Sequence, residues 1–92
     1  MLKENILNIL NDQIEKEGYS SNLYLAMASW AEAEGFEGIA DWLYAQAEEE
    51  TEHMMKIIHY VNDRGAHAVI PAFDQPPKQW NDVFILFDEV LK

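Results

Sequence analysis

The sequence contains no cysteine, which excludes a disulfide framework and any thiolate-ligated centre and leaves oxygen and imidazole as the available metal ligands. It also lacks any apolar run near the length a bilayer requires, so no membrane-spanning helix is expected. Bases are scarce: six Lys and Arg stand against 17 Asp and Glu, for a formal net charge of −11. That balance repels phosphate backbones and anionic lipid surfaces and attracts cations, so nucleic acid and membrane are both disfavoured as partners. Helix breakers are few and unevenly placed, since Pro71, Pro76 and Pro77 are the only prolines and all follow Gly65. Met1 to Leu10 carries Lys3 and Glu4 inside an amphipathic pattern, unlike the unbroken apolar stretch of a signal peptide. A cysteine-free, acidic chain fits a cytoplasmic setting.

What remains is helix-forming material. With 92 residues, 49% of them hydrophobic, the chain is long enough for one small domain, 1–92, with a modest core. From about Lys3 to Glu34 it is rich in Leu, Ala, Met, Glu and Lys, interrupted only by Gly18, and predicts one helix of roughly 45 Å. Gly35 stands where a left-handed cap belongs, and a second helix is expected over about 38–64, ending before Gly65. Two long helices and a short loop make an antiparallel hairpin. The prolines forbid a regular helix over 66–79, which reads as an extended crossover able to run the length of a bundle. Asn81 is expected to cap a partial third helix over 81–92, carrying Val83, Phe84, Leu86, Phe87, Val90 and Leu91. Leu23 to Ala31 is almost wholly apolar, so something beyond the hairpin must cover it, either further chain or other subunits.

The chemistry lies where the apolar pattern fails. In the first helix a heptad stripe runs Ile6, Leu10, Gln13, Glu17, Ser20, Tyr24, Met27, Ala31; in the second it runs Ile39, Leu43, Gln46, Glu50, His53, Ile57, Tyr60. Polar groups occupy the middle of both. In an antiparallel hairpin, residues equally far from the loop centre lie level, and with the centre near 35, 17 pairs with 53 and 20 with 50, both sums being 70. Glu17, Glu50 and His53 should therefore meet within about one helical turn. Acids and a histidine converging inside a bundle are costly unless paired or bound to a cation, which points to a metal site. Positions 50 and 53, three apart, project a carboxylate and an imidazole from one helix face, and such mixed ligation favours iron, manganese or zinc over calcium.

Plainer readings stand beside these. A run as acidic as Glu48 to His53 yields a Glu-x-x-His by chance, as a solvated face with an incidental histidine. Tyr24, two turns beyond Glu17, is either a core tyrosine or a group that hydrogen-bonds a ligand carboxylate or donates an electron. Gln13, Ser20 and Gln46 read as supports for the ligands or as satisfied polar core positions. His59 and His67 read as surface residues, and Trp30, Trp42 and Trp80 as packing groups.

Leu2-Lys3, Glu17 with Tyr19-Ser20-Ser21, Tyr24, Phe36-Glu37-Gly38, Glu49-Glu50 and His53-Met54 together resemble a bacterial non-haem ferritin, of the ferritin-like di-iron four-helix-bundle family, over its N-terminal half. The resemblance implies an all-α fold in which this hairpin, crossover and partial third helix are completed into a four-helix bundle, by the remaining half or by self-association. It implies a homo-oligomer, a dimer or larger, up to the family's shell of twenty-four subunits. Iron is the implied metal: ferrous ions bind in pairs at a ferroxidase centre, are oxidised by dioxygen or peroxide, and pass into a mineral core. The family's first-helix Glu and second-helix Glu-x-x-His fall on Glu17, Glu50 and His53, and its tyrosine beside the centre falls on Tyr24, the implied catalytic residue. Glu49 matches a ligand of an accessory third iron site, and also reads as a solvated acid. No haem is implied, because the haem-binding branch places a Met directly after the second-helix Glu and Thr51 stands here.

The resemblance also implies a bridging Glu in the third helix and acids on a fourth, which fall outside these residues. The chain thus supplies the ligands of one iron. Three functions stay open: iron storage and detoxification through ferroxidase activity, a non-enzymatic helical fragment that self-assembles, and a rubrerythrin-like peroxidase.

Overall fold

The computed structural model describes residues 2–91. Three helices follow in order, α1 (Glu4–Ala33), α2 (Glu37–Asp63) and α3 (Val83–Val90), and no strand occurs among the described residues. The fold is all-α, as expected, and its longest dimension is 48 Å. No described helix is long and apolar enough to cross a membrane.

Both long helices end in the same way. Gly35 takes φ +91° and Gly65 φ +82°, a left-handed conformation that costs a residue with a β-carbon about 1–2 kcal/mol. At the first end the Phe36 N–H donates to the Ala31 carbonyl (2.8 Å) and the Gly35 N–H to the Glu32 carbonyl (3.1 Å). At the second, Ala66 donates to Val61 (3.3 Å) and Gly65 to Asn62 (3.1 Å). These paired bonds are the Schellman arrangement, which satisfies carbonyls the helix leaves free and turns the chain sharply. Phe36 then stacks on Trp30 at 6.4 Å, sealing the loop end of the hairpin.

The hairpin packs through a seam slightly rotated from the heptad stripe. Ile14, Gly18, Ser21, Met27, Ala28 and Ala31 are the buried residues of α1, and Ala40, Leu43, Ala47 and Val61 those of α2. Ile6 and Tyr60, expected on the buried stripe, are 41% and 43% exposed. Ser21, not Ser20, is the serine of the seam, and its hydroxyl lies 2.6 Å from that of Thr51, with both within reach of the Ala47 carbonyl (3.1 and 3.0 Å). Each hydroxyl has one proton, so one donates to its neighbour and the other to Ala47. The apolar core is consequently split in two. Near the loop, Met27, Ala28, Ala31, Ala40 and Leu43 gather around Trp80 and Leu86; at the far end, Ile14, Val61 and Ala68 pack with Leu7, Leu10 and Ile57. Polar groups occupy the gap.

After Gly65 the chain runs back toward the loop end along α1. The Ala68 and Val69 N–H groups donate to the side-chain oxygens of Asn62 (2.8 Å) and Asn11 (3.4 Å). Phe73 settles over Gly18, where a β-carbon would overlap the ring and stand 3.1 Å from Met54 Sδ. Gly18 is therefore no mere helix interruption: its missing side chain is the seat for the crossover. Trp80 reaches Trp30 edge-on at 6.0 Å, and its indole N–H donates to Glu89 Oε2 at 2.6 Å.

The third helix starts later than expected. Asp82, not Asn81, is the N-cap, because it is Asp82 whose carboxylate accepts the Ile85 N–H at 2.9 Å. The helix ends at Val90, and Lys92, within the expected span, lies outside the described residues. Leu86 is fully buried against the loop-end core, so α3 and Trp80 cover part of the apolar stretch that the hairpin leaves open, whereas Leu25 stays 43% exposed.

Candidate metal centre

The gap between the two cores holds Glu17, Glu50 and His53, whose nearest ligand atoms all lie within 4.8 Å of one another. Helix geometry is the reason. Residues 50 and 53 share one face of α2, and the tight Gly35 turn places α1 residue 17 level with α2 residue 53, as the loop-centred arithmetic required. The His53 Nδ1 is 3.8 Å from Glu17 Oε2 and 3.7 Å from Glu50 Oε2, distances that leave the three atoms around a common space. The side chains are 19% (Glu17), 24% (Glu50) and 45% (His53) exposed, so the group is partly open to solvent, most at His53.

The two carboxylates are electrostatically coupled. A hydrogen bond shared with Glu17, together with burial and the repulsion of Glu17, raises Glu50 to about 7. Glu17 is lowered below the usual carboxylate range, by that same bond and by the Gln13 amide, whose Nε2 donates to Oε1 at 2.9 Å, against an opposing effect of burial. Of the two, Glu50 is the carboxyl pushed toward its protonated form and Glu17 the one pushed toward its anion. Two acids and an imidazole converging in this way can hold a divalent cation, which would displace the proton and neutralise the repulsion.

The remaining residues singled out in the sequence fall at varied distances from this group. Glu49 is exposed and outside the cluster, contributing only like charge that raises Glu50 further. Tyr24 packs, half-buried, against the loop-end core, and its hydroxyl makes no hydrogen bond among the described residues. Ser20, about one turn along α1 from Glu17, is not part of the ligand group and lines an open cavity of about 580 Å³ with Asp12, Glu15, Lys16, Tyr19 and Asp74. The Gln46 side chain makes no hydrogen bond among the described residues and is half-buried. The packing of Phe73 on Gly18 and the pairing of Ser21 with Thr51, each one residue or one turn from a ligand, escaped sequence reasoning. Hydroxyl residues at similar levels on facing helices were the available signal for the second pair, and nothing marked the first.

A long helical hairpin presenting one Glu from one helix and a Glu-x-x-His from the next has the side-chain pattern of the helical-bundle carboxylate proteins. The profile of the Ferritin-like domain matches residues 7–92. The chain is 46% identical over 83 residues to a probable bacterial non-heme ferritin-like protein of Haemophilus influenzae, covering 90% of this chain and 50% of that one. It is 40% identical over 91 residues to the bacterial non-heme ferritin of Staphylococcus aureus, covering 99% and 55%. Among solved structures, Chlorobium tepidum ferritin matches with a TM-score of 0.91 and 36% identity, over 97% of this chain and 55% of that one. An open pore ferritin from the archaeon Archaeoglobus fulgidus matches at 0.92 and 36%, over 98% and 56%. The chain belongs to the ferritin-like domain family, and it spans about half the length of the curated relatives it matches.

Proposed function

We propose that this chain binds ferrous iron through Glu17, Glu50 and His53 and takes part in its oxidation and storage. The observation that carries the proposal is the convergence of those three side chains on the uncovered side of the hairpin. Iron is here both substrate and cargo. Glu17, favoured as the anion by its hydrogen bond with Glu50 and, less strongly, by Gln13, offers the first charge; Glu50 gives up its proton as it becomes a ligand; His53 contributes a neutral donor from Nδ1. Each ferrous ion that is oxidised surrenders one electron, and a pair of them reduces dioxygen, with two protons, to hydrogen peroxide. Tyr24 is the phenol proposed to act beside the centre, and Glu49 the exposed acid proposed as a ligand of an accessory third iron.

One chain holds one such group among its described residues, and a two-iron centre requires a second. We propose that the open side is covered in a homo-oligomer, where two hairpins about a two-fold axis bring together two copies of Glu17 and of Glu50-x-x-His53. The cytoplasm, with its ferrous iron, is the compartment this function implies.

Native mass spectrometry during anaerobic ferrous titration tests the reading. The expected result is an even-numbered assembly with about one iron per chain, lost in Glu17→Ala while the assembly persists. A chain that takes up no iron at any stoichiometry is the non-enzymatic fragment instead. Admission of oxygen should then give ferric absorbance in the near ultraviolet; peroxide consumption without mineral would favour the peroxidase.

A further inference from the structure

Each long helix carries a glutamine four residues before its ligand glutamate: Gln13 before Glu17 and Gln46 before Glu50. Residues four apart stack on one helix face, so both amides are placed to reach the following carboxylate. Only one does. Gln13 Nε2 donates to Glu17 Oε1 at 2.9 Å, whereas no hydrogen bond joins Gln46 to Glu50. The direction of the Gln13 bond is set by chemistry, since an ionised carboxylate has only acceptors to offer and must face the amide N–H₂.

The bond divides the labour of the two Glu17 oxygens. Oε1 accepts from Gln13, and Oε2 is the atom 3.8 Å from His53 Nδ1. A carboxylate free to rotate can bind a cation through one oxygen or chelate it through both. With Oε1 already engaged by a charge-assisted bond, in a part-buried position where water competes poorly, Oε2, which faces His53, is the oxygen left to a cation that displaces the proton shared with Glu50. Building on the metal reading above, we propose that Gln13 is a positioning residue of the centre: it commits Glu17 to metal binding through Oε2 alone, while Glu50, which no amide holds, stays free to change its mode of binding.

The test uses cobalt(II), whose visible d–d band reports coordination number without any turnover. Gln13→Met keeps the length of the side chain and removes the donor, and Gln46→Met makes the same change on the other helix. Gln13→Met should weaken cobalt(II) binding by roughly tenfold to a hundredfold and lower the d–d intensity, as chelation by the released carboxylate raises the coordination number; Gln46→Met should alter neither. Gln13→Glu, which replaces the donor with a repelling acid, should weaken binding further, and circular dichroism verifies that each variant is folded. If folded Gln13→Met titrates like the unsubstituted chain in affinity and band intensity, the positioning role is overturned and the metal reading survives. If the unsubstituted chain shows no cobalt(II) binding that Glu17→Ala removes, the metal reading itself fails and takes this inference with it.

Discussion

The two sides of the hairpin are built from adjacent residues and yet have opposite characters. Glu17 and His53 belong to a group partly open to solvent; Gly18, one step along α1, lies under Phe73 of the crossover, with Met54 of α2 beside it. A single residue turns an α-helix by about 100°, so the two sides begin one residue apart. The covered side is closed within the chain by contacts that tolerate no additional atom, whereas the open side collects charge that is only partly resolved by a shared proton. The lesson is that one hairpin can close its own packing on one side, through Phe73 over Gly18, and leave the ligand group beside it partly open, with room for a cation.

Three experiments would break or sharpen that contrast. The largest effect belongs to the open side. Glu50, raised to about 7, must lose its proton before it can serve as a ligand, so metal affinity increases with pH until the pH is above about 7. Below that point each pH unit should weaken cobalt(II) binding at least about tenfold; a flat titration series from about pH 8 to pH 5 would contradict the shared proton. On the covered side, Gly18→Ala gains about 1 kcal/mol of helix propensity and loses about 1–3 kcal/mol to overpacking against Phe73. It should be destabilising in urea unfolding, and in a Phe73→Ala background the same substitution should become stabilising. Failure of the sign to reverse would mean that Phe73 does not press on Gly18. The smallest effect lies remote from both sides: Asp82→Ala removes the cap on Ile85 and should cost about 1 kcal/mol, read by tryptophan fluorescence because Trp80 adjoins α3, with metal binding unchanged.

The helices, the hairpin and the meeting of Glu17 with Glu50 and His53 were legible in the sequence because they depend on local rules, the left-handed glycine and the rise per residue. The line of the seam was not. Glu17 and Tyr24 sit where the interhelical seam meets the open side, so a stripe drawn through them takes in Ile6 and Tyr60, which are exposed, and misses Ile14 and Val61, which are fully buried. The cap of α3 was misplaced by one residue because Asn81 and Asp82 are both competent caps, and it is Asp82 whose carboxylate meets the Ile85 N–H. The seat of Phe73 was invisible for another reason. It joins a helix glycine to an aromatic in an irregular segment far along the chain, and no periodicity links the two.

The Gly35 turn has a consequence for how such a chain can vary. Glu17 and His53 each lie 18 residues from Gly35 (35 − 17 and 53 − 35), roughly 27 Å along either helix. The loop is thus a ruler with its zero at one end of the molecule and its reading taken at the acids. One residue inserted beside Gly35 would extend an exposed turn at little cost in folding, yet it would slide the two scales past one another and separate the ligands. A length change tolerated as a fold would be lethal as a site, so the length of this outlying turn is tied to chemistry it never touches.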